Sequence, residues 1–131
     1  MGLMERRKMK ELQDVTFPER TAELAEICGG GAIAYEVDWA SFENDLDGLT
    51  FLDNLSCHRT NMALRVICAD ELGKEAVRAK LARILLKNVT NKSEMHIAFA
   101  EGMLEMRCAY ALRTDGMFSD GEIRGVLLAG L

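Results

Sequence analysis

The stretch from Glu94 to Tyr110 constrains the fold more than any other, because it supports two incompatible periods. As one amphipathic helix it gathers Met95, Phe99, Met103, Met106 and Tyr110 but strands Ile97, Leu104 and Cys108 on other sides. As a β-hairpin bending at Glu101-Gly102 it sets Ala100 opposite Met103, Phe99 opposite Leu104, Ile97 opposite Met106 and Met95 opposite Cys108. Every large apolar side chain then falls on one face. The second face receives Ala98 with Glu105 and His96 with Arg107. The hairpin is the reading that needs no adjustment.

A second strand is read over Ala32 to Phe42, where Ile33, Tyr35, Val37 and Trp39 alternate with Ala34, Glu36 and Asp38. Before it, Pro18 suits a first helical turn and Thr16 is placed to cap it. Ala22, Leu24, Ala25, Ile27 and Cys28 supply the apolar stripe, and Gly29-Gly30-Gly31 ends that helix through glycine's tolerance of positive φ. After the strand, Phe51, Leu52, Leu55, Met62, Val66 and Ile67 have helical spacing up to about Asp70. Val77, Leu81, Ile84 and Leu85 repeat that spacing with basic residues on the opposite side. Two such helices form a helical hairpin. Ser119 and Glu122 make a capping box for a closing helix. The expected fold is therefore α+β: a small antiparallel sheet of about three strands packed on a helical hairpin, with additional N- and C-terminal helices, in one domain spanning residues 1–131.

Charge is segregated along the chain. Between Arg20 and His58 there is no Lys or Arg, whereas Glu23, Glu26, Glu36, Asp38, Glu43, Asp45, Asp47 and Asp53 all lie there. From Lys74 to Lys92 six cations face the single Glu75. The two blocks can pair with each other. A net charge of −5 makes nucleic acid an unlikely partner, since such binders are basic overall. No apolar run reaches the ~20 residues that cross a bilayer, and the opening residues lack a signal-peptide core. A cytoplasmic location without membrane attachment is the expectation. Cys28, Cys57, Cys68 and Cys108 have no paired spacing and read as buried thiols.

The chemistry-bearing patterns are sparse. Glu43 to Gly48 resembles the first half of a calcium loop, but Asn54 stands where the bidentate Glu belongs, so no metal and no cofactor are expected; Asp47 is read as a helix cap. Cys57-His58 are neighbours on a helix and point about 100° apart, which separates thiol from imidazole. Asn54, His58, Asn61 and Arg65 fall at i, i+4, i+7 and i+11 and share one helix face, polar yet hardly charged. That face is a candidate for binding a ligand or partner, or a polar seam between packed helices. The sheet's second face collects Ala32, Ala34, Ala98, Ala100 and Ala109 with Glu36, Asp38, His96, Glu105 and Arg107. Its cover is either the N-terminal helix or a second copy of the chain. The leading expectation is an interaction or regulatory module that self-associates as a homodimer. The competing one is a small-molecule-binding protein or enzyme with a polar site near His58, Asn61 and Arg65, or near His96 and Arg107. No resemblance to a known family arises from these residues.

Overall fold

The structure, a computed structural model, describes residues 2–131 apart from the side chains of Asn54 and Leu55. Among the described residues, six α-helices and four strands alternate as α1 (Leu3–Glu11), α2 (Phe17–Ile27), β1 (Ala34–Val37), α3 (Leu46–Phe51), α4 (His58–Ile67), α5 (Glu71–Lys80), β2 (Arg83–Asn88), β3 (His96–Ala100), β4 (Met103–Cys108) and α6 (Asp120–Gly130). α1 and α2 are joined by a π turn at Leu12–Thr16. Pro18 has no N–H to donate one turn back, which suits a loosened winding just before it. Thr16 therefore lies inside a continuous helical run and makes no cap. A second π turn, Leu52–Cys57, leads from α3 into α4. Gly29, Gly30 and Gly31 all have positive φ, as the helix stop requires.

The β3–β4 hairpin has the expected register: Ala100 pairs with Met103, Phe99 with Leu104, Ile97 with Met106, Ala98 with Glu105 and His96 with Arg107. Glu101 and Gly102 both take positive φ, the geometry of a two-residue turn whose twist matches the strands.

The sheet as a whole differs from the expected one. It has four strands in the order β1-β2-β4-β3, and it is mixed: β1 with β2 and β2 with β4 run parallel, and only β3 with β4 is antiparallel. The additional strand, β2, occupies the segment read as the end of a second long helix. α5 stops at Lys80, and Ile84 and Leu86 are wholly buried between flanking strands. Apolar residues at 77, 81, 84 and 85 fit a helical period, yet 84 and 86 also alternate with 83, 85 and 87. Pairing on both sides of β2 selects the second pattern. In place of a helical hairpin there is a run α3–α4–α5 that crosses from β1 to its parallel neighbour β2. Asn88 closes β2 and bonds the Ser41 carbonyl and Asp45. β1 is also shorter than expected, because Asp38 caps a 3-10 turn over Trp39–Phe42.

Alternation divides the sheet into two unlike faces. One carries the rows Tyr35-Ile84-Leu104-Phe99 and Val37-Leu86-Met106-Ile97, and these pack into a core with Leu24, Leu49, Leu64, Ile123 and Leu127 from the helices. The other carries Ala34-Arg83-Met103-Ala100, then Glu36-Leu85-Glu105-Ala98, then Lys87-Arg107-His96 with Asp38 beside Lys87. Leu85 and Met103 are half-buried and take no part in the core; Met103 thus departs from the expectation that every large apolar side chain of the hairpin shares one face, because it pairs with Ala100, one residue out of phase with Phe99 and Leu104. The N-terminal helices do not cover this face: α1 packs against α3, and α2 lies against α4 and the end of β1. The molecule thus has two layers, not three. Ala109 belongs to neither face; it is buried, and its N–H bonds the Gly116 carbonyl.

Candidate functional site

The helix face singled out in the sequence meets α2. Three contacts advance together along the two helices: Arg20 with Asp53, Glu23 with Asn61, and Cys28 with Cys68. α2 and α4 therefore run in the same sense, and between them lies a cleft of about 240 Å³ lined by Arg20, Glu23, His58, Asn61, Met62 and Arg65. Three of the four expected residues, His58, Asn61 and Arg65, are brought together here. The Asn54 side chain lies outside the described residues.

Asn61 is the centre of the arrangement. It is 1% exposed, its Oδ1 accepts from the Tyr35 hydroxyl at 2.6 Å, and its Nδ2 donates to Glu23 Oε1 at 2.9 Å. A buried amide stripped of such partners would cost on the order of 1–3 kcal/mol, so this pairing is what allows an asparagine inside the helix interface. Glu23 also takes Arg65 Nη2 at 3.2 Å and Arg20 Nη1 at 3.3 Å. The Asn61 amide, followed by the two guanidiniums, holds the Glu23 carboxyl below its usual range against the opposing effect of burial. Arg20 clasps Asp53 with two bonds, Nε to Oδ1 at 2.7 Å and Nη2 to Oδ2 at 3.2 Å, and is fixed in its charged form by them. Burial pushes the Tyr35 hydroxyl well above its ordinary value, so it serves as a neutral donor.

His58 and Arg65 are exposed at the rim, seven residues apart on the same side of α4. Arg20, Glu23, Asp53, Tyr35 and Met62 complete the site and were not anticipated. Arg20 and Glu23 could have been suspected from their i, i+3 spacing, but nothing in the sequence places α2 beside α4.

The second candidate pair, His96 and Arg107, sits elsewhere, at the end of the helix-free sheet face. The two are cross-strand partners on β3 and β4. Both reach Glu105, His96 Nε2 at 3.9 Å and Arg107 Nη2 at 3.4 Å. The same face holds Arg83 with Glu36 at 3.3 Å and Lys87 with Asp38 at 4.0 Å. Acidic β1 and basic β2 are thereby neighbours, and the two charge blocks of the sequence do meet. Each of these contacts links residues of that face.

No family model, curated protein or solved structure matches the chain.

The remaining patterns have structural roles. Asp45, not Asp47, caps α3, accepting from Gly48 N at 2.9 Å, and its other oxygen takes the Asn88 amide. Among the described residues no cluster of three His, Cys, Asp or Glu side chains could hold a metal ion. All four cysteines are buried. Burial raises every thiol, Cys28 to about 12 and Cys108 to about 11, far from the lowered values that make a nucleophile. Among the described residues no helix is long and apolar enough to cross a membrane.

Proposed function

We propose that the protein is an interaction or regulatory module whose helix-free sheet face pairs with the same face of a second copy. The observation that supports this is the asymmetry of the sheet: one face is buried under helices, and the other keeps Leu85, Met103, Ala34, Ala98 and Ala100 among its charges. Small side chains let another surface approach the backbone closely.

The charge on this face argues for a second copy over an oppositely charged partner. Glu36, Asp38 and Glu105 balance Arg83, Lys87 and Arg107, so the face has no net sign when His96 is neutral. A nucleic acid or a strongly acidic protein gains nothing from such a mosaic, whereas an isologous contact requires a surface able to complement itself. With strands about 4.8 Å apart and about 3.3 Å per residue, the face measures roughly 19 by 17 Å, about 650 Å² over two copies and below the roughly 1,200 Å² where stable interfaces begin. Association is accordingly weak and concentration-dependent.

Sedimentation velocity over a concentration series tests the reading. The wild-type chain should shift from monomer towards dimer, and Ala98→Arg or Ala34→Arg should hold it as a monomer. A wild-type chain that stays monomeric at high concentration, or a dimer indifferent to both substitutions, overturns it.

A further inference from the structure

We infer that the α2–α4 cleft is a binding site for a small organic oxyanion, held chiefly by Arg65. This does not depend on self-association, because the cleft lies among the helices and away from the helix-free face of the sheet.

The inference rests on which hydrogen-bonding groups in the cleft are already engaged. Both Glu23 oxygens accept from donors, both Asp53 oxygens accept from Arg20, and Asn61 is engaged at its carbonyl and its amide. The acceptors are satisfied. Arg65 contributes one nitrogen to Glu23 and is 49% exposed, which leaves the rest of its planar fork to the cleft. His58, at the same rim, adds an imidazole. A guest that supplies acceptors complements the open part of the Arg65 fork, while one that supplies donors meets carboxylate oxygens that already have partners. A guanidinium fork selects oxygens in a plane, as carboxylates and phosphates present them.

Size and shape narrow the guest further. At about 30 Å³ per water, the cleft holds the equivalent of roughly eight waters, room for a compact metabolite but not for a folded segment. His58 and Arg65 stand about 10.5 Å apart along the helix axis at 1.5 Å per residue, so donors lie towards both ends of the cleft. Met62, 40% exposed between them, offers an apolar wall for a short carbon chain. A dicarboxylate or a phosphorylated small molecule has this chemistry. The balanced charges around it, two arginines against Glu23 and Asp53, keep the cleft from acting as an indiscriminate anion trap.

Titrations of the full chain with succinate and, separately, inorganic phosphate, followed by NMR of the arginine Nε–H and backbone amide signals, test this directly. Saturable shifts at Arg65 and Asn61 are expected, weakening as salt is added. Arg65→Met should lower the affinity about tenfold or more while amide signals remote from α4 stay in place. Neutral succinamide should leave the cleft signals unmoved. Binding of succinate alone assigns a carboxylate guest, and binding of phosphate alone a phosphoryl one. If Arg65→Met disturbs the fold, Arg65→Lys, which keeps the charge but not the fork, replaces it with the same expected loss. The inference is overturned if neither anion gives saturable shifts, if the arginine variants bind as the wild type does, or if succinamide acts like succinate.

Discussion

The two faces of the sheet are built from the same strands, residue by residue in alternation, yet they do different work. Ile84, Leu86, Leu104 and Met106 point into the helices and are at most 1% exposed. Their immediate neighbours Arg83, Leu85, Lys87, Met103, Glu105 and Arg107 form a mosaic of apolar and paired charged groups outside the core. Burial of each large apolar side chain contributes roughly 1.5–3 kcal/mol, so stability is concentrated on the first face. Substitutions on the second face should therefore leave the core intact.

The contrast can be broken by substitution. Leu104→Ala on β4 should destabilise the monomer by about 2–5 kcal/mol in chemical denaturation, because a wholly buried leucine leaves a cavity. Asn61→Ala should cost less, about 1–3 kcal/mol, by leaving the Tyr35 hydroxyl without its acceptor and Glu23 Oε1 without the amide donor. On the helix-free face, Leu85→Ala should change monomer stability by under about 0.5 kcal/mol and instead weaken self-association. Equal losses at Leu104 and Leu85 would abolish the distinction between the faces.

The smallest expected effect is one of pH. Because the folded chain lowers the Glu23 pKa, the ionised carboxylate stabilises the fold above the ordinary glutamate range near 4.3. That contribution disappears as pH falls through this range towards the folded value. Glu23→Gln should therefore flatten the acid side of the stability profile and leave its slope near neutrality alone. Acid unfolding unchanged by the substitution would show that the network around Asn61 does not hold the charge.

What the sequence revealed follows the same division between local and distant causes. The β3–β4 register was legible because strict alternation and a Glu-Gly turn are both written within fifteen residues. The capping box at Ser119 and Glu122 was legible for the same reason, and it forms. β2 was not, because Ile84-Leu85-Leu86 is a short apolar run whose period is ambiguous until β1 and β4 pair on either side. The N-terminal helix α1, rich in charge and methionine, offers almost no apolar stripe, and only Met9 in it is buried. The grouping of His58, Asn61 and Arg65 followed from helical spacing alone. Their partners Arg20 and Glu23 come from about forty residues earlier, and no local pattern encodes the parallel packing of α2 on α4.

The central claim, that the uncovered face of the sheet is where two copies meet, is tested most directly by isotope-filtered NMR on a mixture of labelled and unlabelled chains. Intermolecular contacts should arise from the Leu85 and Met103 methyls and from Ala34 and Ala98, with the core methyls of Ile84 and Leu104 silent. Intermolecular contacts confined to Met62 and Val66 on α4, or none at a concentration where the protein is dimeric, would contradict it.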